Sequence, residues 1–340
     1  MFSTSEQLPI PSVAELNREM EPYIIQAAEG RCPLFKDTYK VLQFVHFTDI
    51  HHMLELWNRI MEYINEYSNY LSFALHTGDY CGCSHTEYYC DLYGKGTPCV
   101  RPVLNCVGNH DNVKSYANHD CTAQETYEAC FPKSTEDWGA TFMEGEYTMN
   151  YYRDFPESNL RLIVLDYYFG GDAQIVWLKE ILADAKEKGL HVITAAHEMT
   201  HRIVEEPDVP FRTYDDFWTV KKKTADHLES FRADHLIAEF KKEGGIHVCH
   251  LAGNEHTEHF GFTERGVLNV IAPCSTWNNA RTDCVRVRGT RTYDCFNVVA
   301  VDTNVNVLKL VRIGNNVDPY LRTRKALCWD YKNGKMISSL

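Results

Sequence analysis

Residues 41–51 read VLQFVHFTDIH. The run from Val41 to Phe47 is apolar almost throughout, which suits a buried strand. It stops at Thr48-Asp49-Ile50-His51, where a carboxylate and an imidazole stand two residues apart. Met53, Trp57, Ile60, Met61, Ile64 and Tyr67 follow at helical spacing, so the strand leads into a helix with one apolar face. A buried strand, a polar strand end and an amphipathic helix are the repeating parts of a layered α/β domain.

The same pattern recurs outward from this stretch. Ser72 to Thr77 reads as a strand ending at Gly78-Asp79, and Pro102 to Val107 as one ending at Gly108-Asn109-His110-Asp111. Tyr147 to Arg153 and Leu160 to Leu165 are two more strands, and Ile175, Leu178, Leu182 and Ala185 mark a helix. His191 to Ala196 is a strand ending at His197. Ala225 to Lys242 is a helix stopped by Gly244-Gly245, and Ile246 to Ala252 is a strand ending at Gly253-Asn254-Glu255-His256. The last third is mostly strand: Val267 to Ala272, Cys295 to Val301 and Val305 to Ile313, the last two joined by a turn at Asp302-Thr303-Asn304. Sheets packed face to face with helices outside are expected. Residues 1–39 read as an N-terminal extension packing on the core, with a short helix from Val13 to Ala28. Residues 40–340 read as a single domain, with insertions at 113–146 and 198–223 near the site.

Composition narrows the function classes. A net charge of −13 disfavours general affinity for nucleic acid or anionic membrane, both of which require a basic face. It leaves room for an anionic substrate, because bound cations reverse the local sign. The sequence has no apolar run long enough for a membrane span and no secretory leader pattern at its start, so the cytoplasm is the expected compartment. Thirteen cysteines without such a leader read as reduced thiols. The cluster Cys81, Cys83, His85 and Cys90 matches none of the common zinc spacings and reads as a loop.

Each of the five polar strand ends is weak alone, since a lone Gly-Asp is usually a turn and a lone His usually a hydrogen-bonded core residue. Together they lie at the C-terminal ends of expected strands, the edge where open α/β sheets build their sites. Their Asp, His and Asn side chains are hard or borderline metal donors, and no cysteine is among them, so a soft thiolate site is not indicated. Glycine beside three of them allows sharp turns or close backbone approach.

The ordered series Asp49-Ile50-His51, Gly78-Asp79, Gly108-Asn109-His110-Asp111, His197 and Gly253-Asn254-Glu255-His256 resembles the calcineurin-like metallophosphoesterase superfamily. That resemblance implies a four-layer sandwich of two mixed β-sheets flanked by helices. It also implies metal-dependent hydrolysis of a small phosphomonoester or phosphodiester at a dinuclear site. By resemblance, Asp49, His51 and His256 would hold the first of two divalent metal ions (Mn, Fe or Zn), and Asp79 would bridge both. Asn109 and His197 would hold the second, together with the residue at 254. There the family has histidine and this chain has asparagine. Asn254 leaves three outcomes open: weak ligation through its amide oxygen, a gap filled by water, or weakened activity. Weak or water-assisted binding is expected. His110 would protonate or stabilise the leaving oxygen, with Asp111 orienting it.

Two subclasses fit poorly. The purple acid phosphatases carry Tyr where this chain has Gly82, and the phosphoprotein phosphatases carry an Asp-Arg-Gly absent after Asp79. Arg286 and Arg288, within a segment that also holds Arg281 and Arg291, are candidates to bind substrate phosphate, with a solvated loop as the plainer reading. Tyr80, Tyr88, Tyr89 and Tyr93 either line the cleft or pack. His201, His250 and His259 are read as ordinary surface or core residues. The competing function is a catalytically weak or inactive metal-binding relative that recognises a phosphorylated ligand or partner, and Asn254 is the feature that favours it.

Overall fold

A computed structural model describes residues 41–80, 92, 94–112, 121–131, 138–205, 228–256, 258–275, 293–314 and 326–338. In chain order the strands are β1 (Val41–Phe47), β2 (Phe73–His76), β3 (Val103–Asn105), β4 (Thr141–Phe142) and β5 (Tyr151–Phe155). They continue as β6 (Leu160–Val164), β7 (His191–Ala195), β8 (Ile203–Glu205), β9 (Ile246–Ala252) and β10 (His259–Thr263). The last are β11 (Leu268–Ile271), β12 (Cys295–Asp302), β13 (Val307–Gly314), β14 (Ala326–Asp330) and β15 (Lys335–Ser338). The helices among the described residues are α1 (Leu54–Glu66), α2 (Ala123–Cys130), α3 (Gly171–Glu187) and α4 (Leu228–Lys242).

The strands form two mixed sheets. One has seven strands in the order β15-β14-β13-β12-β1-β2-β3, and the other eight in the order β4-β5-β6-β7-β9-β11-β10-β8. Side chains alternate across each strand and sort the layers. On β1, Phe44 faces the second sheet: it stacks on Phe73, which stacks on Phe155 of β5, with ring centroids 4.5 and 5.1 Å apart. Phe260 against Trp329, at 5.4 Å, makes the same inter-sheet contact between β10 and β14. Phe47 and Phe296 point the other way and meet Trp57 and Tyr63 of α1. The outer face of the second sheet is covered by Leu178, Leu182 and Ala185 of α3 and by Ala233, Ile237 and Phe240 of α4. The order of layers is therefore α1, sheet, sheet, then α3 with α4, as the spacing and the resemblance imply.

Parallel pairing positions the site. β1, β2 and β3 run parallel in the first sheet, and β6, β7, β9 and β11 run parallel in the second. Every polar strand end found in the sequence follows one of these strands. No helix among the described residues is long and apolar enough to cross a membrane.

Some elements differ from expectation. The strand expected from Tyr147 begins at Tyr151, and Tyr147 itself has a left-handed φ of 54°. Within 113–146, read as an insertion without a period, lie α2 and β4. Only Thr126 and Cys130 of α2 are buried, so its apolar stripe is too thin to register, although the capping box of Thr122 and Glu125 marks its start. Strands β8, β10, β14 and β15 also went unread, being three to five residues long with little apolar run. The extension 1–39 and much of 198–223 lie outside the described residues.

Candidate metal centre

The chain reaches the site through strained backbone. Asp49, His51, Asp79, Asn254 and His256 all have positive φ, between 43° and 62°. Each such residue costs about 1–3 kcal/mol and persists only where its surroundings over-determine it. Here the first strand end is tied to the second by three backbone hydrogen bonds. Asp49 N–H donates to Gly78 O (3.0 Å), His51 N–H to Asp79 O (3.1 Å) and His52 N–H to Tyr80 O (2.7 Å).

Three glycines let the strand ends meet. A Cβ on Gly253 would fall on the Thr48 hydroxyl and lie 2.8 Å from Asp49 Oδ2. A Cβ on Gly108 would fall on the Asp79 carboxylate. One on Gly78, whose φ is 93°, would lie 2.6 Å from His197 Nδ1. The glycines noticed in the sequence thus serve close approach.

One group of donors joins both sheets. His256 Nε2 lies 3.1 Å from Asp49 Oδ1, and His51 Nε2 lies 3.5 Å from the same oxygen and 4.0 Å from Asp79 Oδ2. The two imidazole Nε2 atoms are 3.2 Å apart. One donor atom from each of Asp49, His51, Asp79 and His256 falls within 4.8 Å of every other. Asp49 Oδ1 and Asp79 Oδ2 are buried and accept no well-directed hydrogen bond. Buried carboxylate oxygens facing a pair of imidazoles are the donor set a divalent cation satisfies, so the residues present fit a metal.

A second group shares Asp79. His197 Nε2 lies 3.3 Å from Asp79 Oδ1 and 3.0 Å from Asn109 Oδ1. His197 Nδ1 lies 2.6 Å from Thr77 O, and a carbonyl can only accept, so Nδ1 carries the proton. That leaves Nε2 as the atom able to bind a cation.

Charge follows from this geometry. Burial works against ionised carboxylates, but His256 holds Asp49 well below the usual range and His197 holds Asp79 below it. Burial would likewise push the imidazoles down. The adjoining Asp49 carboxylate, Cys274 and the charge of Asp79 instead hold His51 well above its ordinary value, and Asp79 raises His197 to about 9. For His110 burial outweighs the charge of Asp79. Its side chain is a third exposed, its Nε2 is 3.8 Å from Asp79 Oδ2, and burial moves it below the ordinary histidine value.

Two residues have tasks that the sequence did not suggest. Asp111 is buried, and its Oδ2 accepts from Gly108 N–H (2.7 Å) and Asp79 N–H (2.9 Å), so it clamps the turn that carries Asn109 and His110 to the one that carries Asp79. Asn254 acts through its backbone. Its N–H donates to Asp49 Oδ2 (3.1 Å), which also accepts from Thr48 Oγ1–H (2.7 Å). The Asn254 side-chain amide donates to Glu255 Oε1 (3.4 Å).

Cys274 adds a thiol beside the donors read from the five strand ends. It follows β11, is fully buried, and its Sγ lies within 4.8 Å of a ring nitrogen of both His51 and His256. Burial pushes its thiol up, and His256 and His51 more than offset this, bringing it to about 7. The one available signal was positional: Cys274 follows a further apolar run at the edge where the other polar strand ends lie.

The remaining candidates lie elsewhere. Arg286 and Arg288, the Cys81–Cys90 cluster, Tyr88, Tyr89 and Tyr93 are outside the described residues. Tyr80 is fully buried, lies tilted against His76 and donates to Asn105 Oδ1, so it packs rather than lines a cleft. His250 is buried and bonded to Thr194 and Glu198 O, a core role as read.

Residues 42–258, more than half of the chain, match the sequence profile of the calcineurin-like phosphoesterases, and the chain belongs to that family. A dimetal phosphatase from Danio rerio has a similar fold, with a TM-score of 0.58 at 10% identity, covering 81% of this chain and 98% of that one. GAP50, the anchor in the inner membrane complex of Plasmodium, aligns with a TM-score of 0.48 at 11% identity, covering 88% and 87%. No curated protein matches the chain in sequence.

The glycine contacts make a direct prediction. Gly253→Ala displaces the Thr48 hydroxyl from Asp49, and losing such a supporting partner weakens metal affinity by roughly 10–100-fold. Calorimetric Mn²⁺ titration of wild type and variant measures this. Unchanged affinity in a folded variant contradicts the assigned close approach.

Proposed function

We propose that the chain hydrolyses esters of small phosphorylated molecules at a centre of two divalent ions. The observation that carries this reading is the pair of donor groups sharing Asp79: Asp49, His51 and His256 on one side, Asn109 and His197 on the other. Asp49, His51 and His256 would hold one ion, Asn109 and His197 the other, and Asp79 both. Bound there, such ions (Mn, Fe or Zn) offset phosphoryl charge and lower the pKa of water.

The chain's own residues supply orientation. Thr48 Oγ1–H and Asn254 N–H hold Asp49 Oδ2, leaving Oδ1 to face the imidazoles. His110 N–H donates to Asp79 Oδ1 (2.9 Å), which fixes the backbone of His110 to the shared carboxylate. With its pKa lowered by burial, the His110 ring is neutral at neutral pH and has one N–H to offer. That suits a hydrogen bond to the leaving oxygen of a substrate more than outright protonation. The net charge of −13 supports a small substrate over nucleic acid.

The second reading, a weak or inactive relative that recognises a phosphorylated ligand, is favoured by the Asn254 amide, which turns to Glu255 rather than to the second donor group. Turnover decides between the two. With Mn²⁺ present, wild-type protein should hydrolyse 4-nitrophenyl phosphate or bis(4-nitrophenyl) phosphate, and Asp79→Asn should fall to background. Absence of wild-type turnover with both ions bound supports the second reading. Near wild-type turnover in Asp79→Asn removes that residue from the centre.

Asn254→His tests the departure from the family pattern. Histidine tolerates a left-handed φ better than most residues, so the backbone bond to Asp49 survives. A restored imidazole should lower the Mn²⁺ concentration needed for half-maximal rate, with the gain vanishing at saturating metal. An identical metal dependence in wild type and variant places residue 254 outside the ligand set.

A further inference from the structure

Among the described residues, Cys274 is a chemically reactive group at the centre that the proposed hydrolysis leaves unused. The simplest reading is a small buried hydrophobe, because free cysteine is among the most buried residue types. Three observations argue for more.

The first is its neighbours. Sγ lies within 4.8 Å of a ring nitrogen of each of His51 and His256, and these two histidines also belong to the group with Asp49 and Asp79. The two donor groups therefore overlap on one pair of imidazoles. Zinc binds sulfur at about 2.3 Å and imidazole nitrogen at about 2.0–2.1 Å, so donors on one ion lie at most about 4.4 Å apart. The 4.8 Å bound on the three donors is close to that limit.

The second is rigidity. Ala272 N–H donates to Ala252 O (2.9 Å) and Ser275 N–H to Thr48 O (3.1 Å). Ser275 Oγ–H donates to Cys295 O (2.8 Å). These bonds fasten the segment to β9, to the Asp49 turn and to β12, so its backbone is held on both sides of Cys274. The third is Asp49 Oδ1, fully buried, without a well-directed hydrogen bond, and facing the same two imidazoles.

We propose that Cys274 is a thiolate donor to the cation held by Asp49, His51 and His256, and that it makes this position select a thiophilic ion, zinc above all, over manganese. This rests on the reading of the centre as a metal site. Binding exchanges the S–H bond for a metal–sulfur bond, and the proton leaves to solvent. Manganese favours oxygen donors, whereas zinc accepts sulfur and nitrogen together.

The test uses the full chain carrying Cys81→Ser, Cys83→Ser and Cys90→Ser, which removes the other clustered thiols. One equivalent of Co²⁺ should produce a near-ultraviolet thiolate-to-cobalt charge-transfer band. Adding Cys274→Ser or Cys274→Ala should abolish that band while the visible cobalt bands persist. The preference for Zn²⁺ over Mn²⁺ should fall by roughly tenfold or more, a factor that corresponds to about 1.4 kcal/mol. Should both variants misfold, zinc-edge X-ray absorption of the chain with Cys274 intact decides: one sulfur neighbour supports the proposal, and only nitrogen and oxygen overturns it. A band absent from the parent, or retained in both variants, also overturns it. Failure to bind cobalt at all removes the metal reading and this proposal together. Bound cobalt and turnover without the band remove this proposal alone.

Discussion

The constraint on which the rest depends is the burial of two carboxylates against a group of imidazoles at one point between two sheets. Asp49 and Asp79 are essentially inaccessible, as is His197. Unpaired, any of these charges would cost several kcal/mol. Packed together, opposite charges hold one another ionised, which is why both carboxylates sit below their usual pKa range and His51 and His197 above theirs. Two imidazoles with Nε2 atoms 3.2 Å apart nevertheless repel when both are charged. A divalent cation bound between them would replace their protons and remove that repulsion.

Much of the local backbone follows from assembling this cluster. Donors arrive from β1, β2 and β3 in one sheet and from β7 and β9 in the other. The strand ends approach closely only where glycine omits a side chain, at Gly78, Gly108 and Gly253. Left-handed φ values at five donor or neighbouring residues aim the side chains into the gap. Cross-links between strand ends, including the Asp111 clamp and the Asn254 bond to Asp49, hold that arrangement against its strain. The sandwich core supplies rigidity, since Phe44, Phe73 and Phe155 stack continuously from one sheet to the other.

The parallel strands were legible because each is buried on both faces and reads as an apolar run with an abrupt polar end. The positions of Asp49, Asp79, Asn109, His197 and His256 at one edge followed from that pattern. Edge strands such as β14 and β15 were not legible, because short strands with mixed composition resemble loops. Cys274 escaped notice for a chemical reason. It is one of thirteen cysteines, and only the register of β11 beside β9 places this one against His51 and His256. Asn254 was legible as a departure, but the direction of its amide was not, since a left-handed backbone turns the side chain in a way spacing does not encode.

The central claim is that two cations share Asp79. Anomalous diffraction from crystals soaked in Mn²⁺, and separately in Zn²⁺, tests it most directly. The account predicts two peaks, one among Asp49, His51 and His256 and one beside Asn109 and His197, with Asp79 between them. A single peak that excludes Asp79, or peaks only at other residues, would contradict it.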